Sequence, residues 1–129
     1  MARLDENIVF DWAICELSKL RKGFILVRFD FSRNVIVWED SNQWSHNFVR
    51  AMSKDAVRTM RESLLDFLEA GEKLVPVEQE RISDSWRVSI GAEGNQEPIL
   101  SISGTDTQSL AWRRLVRQIE EFCLCSFDL

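Results

Sequence analysis

The chain has 129 residues, 45% of them hydrophobic and 29% charged, which is enough apolar content for one packed domain over residues 1–129 and too much for a disordered chain. A net charge of −5 disfavours nucleic acid and anionic membrane as partners chosen by bulk electrostatics, and no apolar run approaches the roughly 18 residues that span a bilayer. With 3 Cys a complete disulfide framework is excluded, and the N-terminal MARLDENIVF lacks the layout of a signal peptide, so a reducing, cytoplasmic setting is expected.

In chain order, the spacing predicts a first helix from about Asp5 to Lys22. Phe10, Ala13, Ile14, Leu17 and Leu20 recur at helical intervals, and Trp12 and Cys15 widen that face. Asp5 and Glu6 stand at its start, Lys19, Arg21 and Lys22 near its end, and Gly23 follows as a cap. A hairpin comes next. Ile25, Val27, Phe29 and Phe31 alternate with Arg28 and Asp30, Ser32 to Asn34 form the turn, and Val35 to Trp38 return. A further strand is expected around Asn47 to Ala51.

Ser53 is the expected N-cap of a second helix that closes at Gly71, with Val57, Met60, Leu64, Phe67 and Leu68 along one face. Leu74, Val75 and Val77 suit an edge strand interrupted by Pro76. A second hairpin pairs Trp86, Val88 and Ile90 with Leu100 and Ile102 across a GAEGNQE loop. The third helix is expected from Asp106 or Thr107, carrying Trp112, Leu115, Val116, Ile119, Phe122 and Cys123 inward. The resulting expectation is an α+β fold of order α-ββ-α-ββ-α, an antiparallel sheet built from two hairpins with helices packed on one face and extra edge strands.

Few residue patterns point to chemistry. Cys123 and Cys125 stand two apart, but a closed zinc site needs four ligands and only Cys15 and His46 remain to complete one. Cys123 continues the inward face of the third helix, so packing is the expected role and no metal or other cofactor is assigned. His46 is the single imidazole and has no nucleophile placed beside it by any recognisable motif. The expectation is a protein that is not an enzyme.

Two surfaces suggest binding instead. Trp44 fits no helix or strand period and lies in the polar stretch DSNQWSHNF. With Glu39, Asp40 and His46 it forms the candidate partner site, an aromatic anchor with acidic steering. Lys54, Arg58 and Arg61 recur along one side of the second helix as an alternative, nucleic-acid-binding stripe, and Arg113, Arg114 and Arg117 cluster on the third.

In element order alone, the expected helix, strands, helix, strands, helix is similar to secretion chaperones of the type III class, which are dimers that wrap a partner's unfolded segment. Small immunity and inhibitor proteins are similarly compact and acidic. The sequence therefore points to a non-enzymatic, cytoplasmic protein-binding protein of inhibitor, immunity or chaperone-like kind, with another protein as partner and self-association as a further expectation.

Overall fold

Period-two burial decides the first element. In Trp12–Lys19 (β1), Ala13, Cys15 and Leu17 are buried, while Trp12, Ile14, Glu16 and Ser18 are half-buried on the other side. The helix expected over 5–22 is therefore a strand over 12–19. Ala13 and Leu17 satisfy both periods, but Cys15 between them is buried and Ile14 points away, which only a strand allows. The computed structural model describes residues 10–19, 21–41, 47–71, 84–105 and 108–127. Asp5, Glu6 and Leu20 lie outside them, as do Leu74 to Val77 and the positions Asp106 and Thr107.

Gly23 does not cap a helix. It opens Gly23–Asp30 (β2) after a tight turn in which Arg21 has φ 65 and Gly23 φ 96, a left-handed conformation that glycine adopts without steric cost. The Lys22 N–H donates to the Lys19 carbonyl at 2.9 Å across that turn. Val35–Asp40 (β3) follows the expected turn. There the Asp30 carboxylate accepts from the Ser32 hydroxyl at 2.8 Å and the Arg33 N–H at 3.1 Å, and Asn34 takes φ 58. Burial of Asp30 opposes its ionisation, but those hydrogen bonds and the Arg33 charge outweigh it and hold its carboxyl below the ordinary value.

Phe48–Ala51 (β4) completes this arm. Lys54–Gly71 (α1) starts where expected, with the Ser53 hydroxyl accepting from the Ala56 N–H at 3.0 Å. Asp84–Gly91 (β5) and Leu100–Gly104 (β6) form the second hairpin. Leu110–Cys123 (α2) begins later than expected, because Ser109 is its N-cap and accepts from the Trp112 N–H at 3.2 Å. Leu124, in the left-handed conformation at φ 58, closes it by donating its N–H to the Glu120 carbonyl at 2.8 Å.

The six strands form one antiparallel sheet of order β4-β3-β2-β1-β5-β6, so β1 is the seam joining the two arms. The fold is α+β, but the observed order β-β-β-β-α-β-β-α corrects the expected α-ββ-α-ββ-α. The likeness to type III secretion chaperones rested on that order and its leading helix. Among the described residues its first element is a strand.

One side of the sheet is continuous with the core. Cys15 has Val27 and Val88 as register partners, and Val27 has Trp38. These four are buried in one cluster with Met60, Leu64 and Phe67 of α1 and Trp112, Leu115 and Ile119 of α2. Trp86 stacks on Trp112 at 5.0 Å, and Phe67 meets Trp86 edge-on at 5.3 Å, so strand and both helices meet around one aromatic group. Phe127, beyond α2, seals against Trp38 and Trp112, each with centroids 6.0 Å away. No helix of the described residues is long and apolar enough to cross a membrane.

Candidate functional site

A strand buried on one side must present its alternate residues on the other, and here those residues are only partly polar. Strand register places them in rows. Val49, Val37, Arg28, Ile14, Ser89 and Ser101 run side by side from β4 to β6. In the next rows Ala51, Val35, Asp30, Trp12 and Gly91 align, and Glu39, Leu26, Glu16, Arg87 and Ser103 do the same. The apolar members gather on the β4-β3-β2-β1 half, where Val35, Val37, Leu26 and Ile14 are half-buried. Val49 is 70% exposed and Phe24 41% exposed. The helices' inward residues belong to the core on the opposite side. This leaves the β4-β3-β2-β1 half of the outer face partly apolar and, at Val49 and Phe24, open to solvent.

The polar groups of this face are individually fixed. The Trp12 indole lies across Gly91, and its Nε1 donates to the Ala92 carbonyl at 3.0 Å and the Asn95 carbonyl at 3.2 Å, which ties the β5-β6 loop down. Ser89 and Ser101 share a hydroxyl hydrogen bond of 2.9 Å across β5 and β6. Leu26 stands between Glu39 on β3 and Glu16 on β1, an apolar centre with acidic flanks.

Of the expected partner site, Glu39 is exposed on this face. Asp40 falls on the core side of β3, where its N–H donates to the Asn47 side-chain oxygen at 2.8 Å. Trp44 and His46 lie outside the described residues. Val37, Val49 and Leu26 were not anticipated as site residues. The signal was present in Ile25-Leu26-Val27 and Val35 to Trp38, whose unbroken apolar runs mean that neither face of those strands is polar.

The basic stripe divides. Lys54 and Arg58 are exposed, with Arg58 bonded to Asp55 at 3.0 Å. Arg61 turns inward instead. It donates to the Phe10 carbonyl at 2.7 Å, and its guanidinium lies 5.1 Å from the Phe10 ring centre and 4.8 Å from that of Phe31. A guanidinium so engaged is part of the packing.

The cysteines are equally placed for packing. Cys15 is buried, and burial pushes its thiol far above the ordinary value, with Cys123 and Glu16 adding to the effect. Burial also pushes the Cys123 thiol up to about 12, aided by Cys125 and opposed by Arg50. Cys125 is raised as well, mainly by burial. Because the thiolate is the nucleophile and the metal ligand, these environments suppress both chemistries. No group of three His, Cys, Asp or Glu that could hold a metal occurs among the described residues. No protein-family model matches the chain, and no curated protein matches its sequence.

Proposed function

We propose that the chain is a non-enzymatic protein-binding protein that seats its partner on the outer face of the sheet, over Val49, Val37, Leu26 and Ile14. The observation that carries this reading is the half-apolar face itself. Apolar side chains on an open sheet face lose contact with water only when something docks there, and each fully buried Val or Leu contributes roughly 1.5–3 kcal/mol. Glu39 and Glu16 flank Leu26 and select a partner whose apolar ridge is bordered by basic side chains, consistent with the net charge of −5.

The test is native mass spectrometry on the protein purified mildly from its own host, beside the Val37→Asp and Val49→Asp variants. A second polypeptide retained by the parent and lost from both variants, with the thermal midpoint nearly unchanged, is the expected result. Two outcomes overturn the proposal. One is a complex that survives both charges. The other is a large stability loss in both variants, which assigns the face to the chain's own core.

A further inference from the structure

Helix α2 carries three arginines, and their surroundings differ. Arg114 lines a groove against α1 that also contains Asp66 and Glu121. Arg113 and Arg117 line a separate cleft of about 420 Å³ between α2, the end of β1 and the tail segment at Phe127. Arg117 reaches both, and among the described residues the 420 Å³ cleft is lined by a further cation, Lys19, and by one carboxylate, Glu120, which already accepts the Phe127 N–H at 2.9 Å. None of the three makes an ion pair among the described residues, so Arg113 and Arg117 differ from Arg114 by the cleft they share.

We infer that this cleft is a binding site for a small organic anion, a phosphate or carboxylate group on a compact apolar body. Arg113 and Arg117 are four residues apart, so they rise from the same side of the helix about 5–6 Å from each other, a separation one anionic group can bridge. Guanidinium groups match phosphate and carboxylate oxygens with paired hydrogen bonds, and two unpaired ones beside a cavity form a receptor of that shape. The floor supplies the second half of the recognition. Leu17, Trp112 and Phe127 lie buried at its base and Val116 forms a half-buried apolar wall, with Lys19, Gln108 and Ser126 as polar lining, so the wall offers an organic body a contact that a bare inorganic ion cannot use. The volume falls in the range of about 300–1,000 Å³ typical of small-molecule sites. The site is independent of the outer sheet face.

Isothermal titration calorimetry of the full chain at low salt tests the assignment, with phenyl phosphate, inorganic phosphate and a short single-stranded oligonucleotide as probes. Phenyl phosphate should bind at a single saturable site about 10-fold or more tighter than inorganic phosphate. Arg113→Gln and Arg117→Gln should each weaken it about 10-fold or more, the loss expected for a charge-assisted hydrogen bond, while Arg114→Gln leaves it unchanged. Circular dichroism melts should show all three variants folded, since surface substitutions on a helix change stability little. The inference fails if phenyl phosphate gives no saturable heat, if inorganic phosphate binds as tightly, or if Arg114→Gln weakens binding as much as the other two. Binding confined to the oligonucleotide also overturns it, in favour of a nucleic-acid surface.

Discussion

The indole of Trp86 lies across Gly104 on the neighbouring strand, so close that a Cβ built at position 104 would sit 2.6 Å from the ring. Trp86 cannot withdraw, because it is stacked on Trp112 and abutted by Phe67. Gly104→Ala should therefore overpack the aromatic group and cost about 1–3 kcal/mol, read as a lower urea midpoint. Trp12 and Gly91 repeat the relationship on the outer face, with a Cβ at 91 only 2.1 Å from the ring. There the half-buried indole can yield by giving up its bonds to the Ala92 and Asn95 carbonyls, where water can replace them, so Gly91→Ala should cost less than Gly104→Ala. The reverse order would mean that the outer face is the more rigidly packed of the two.

Arg50 terminates a helix from another element. Its guanidinium donates to the Cys123 carbonyl at 2.9 Å and the Phe122 carbonyl at 3.4 Å while lying 4.6 Å from the Phe48 ring centre. Helix α2 has no basic residue in its own last turn, so β4 supplies the cation its C-terminus favours. Arg50→Met, which keeps the stem, should lose about 2 kcal/mol of stability in chemical denaturation. Arg50→Lys should recover part of that loss, because it restores the charge but not the planar fork. Equal stability of all three proteins would remove Arg50 from the cap.

How much of this was legible in the sequence depends on how many faces each element buries. Helix α1 and the turn at Ser32 to Asn34 read correctly because each has one apolar side and a polar residue with a local hydrogen-bond role. Strand β1 misled because Ile14 and Trp12 lie on the half-apolar outer face, which blurs the alternation and lets Phe10, Ala13, Ile14 and Leu17 fit a helix. The Arg21 turn added to the error, since basic residues followed by glycine mark a helix end as well as a hairpin. Arg50 and Arg61 could not be read at all. Their partners, Cys123 and Phe10, are brought near by the fold across 73 and 51 positions of sequence.

Arg61 and Arg58, three positions apart on α1, should respond in opposite ways to neutralisation. Arg61→Gln removes the bond to the Phe10 carbonyl and the contacts with two rings, and should lower stability by about 1.5–3 kcal/mol. Arg58→Gln breaks only a bridge to Asp55 whose side chains are 69% and 84% exposed, and should change stability by no more than about 0.5 kcal/mol. Retention on a nucleic-acid column at low salt separates the two roles further. Loss of retention in Arg58→Gln and in Lys54→Gln, with wild-type stability, would revive the helix stripe as a nucleic-acid contact.

The buried thiols predict how stability depends on alkaline pH. Cys15 and Cys123 are both raised from an ordinary value of 9.0, the first mainly by burial with Cys123 and Glu16 contributing, the second by burial with Cys125 contributing. A raised folded-state value means the native protein holds protons that the unfolded chain releases. The contribution is therefore complete below the unfolded value and is lost as pH rises from about 9 toward the folded value, about 12 for Cys123. Each thiol should lower the unfolding free energy by about 1.4 kcal/mol per pH unit within that window. The chain has no Tyr, so no phenol titrates there to obscure the slope. Urea unfolding at successive pH values above 9 should show a steep decline for the parent and a shallower one for the Cys15→Ala, Cys123→Ala double variant. The slopes are the comparison, since alanine at 15 also removes packing and lowers the whole curve. Parallel curves for the two proteins would show that these thiols ionise as readily in the folded chain as in the unfolded one.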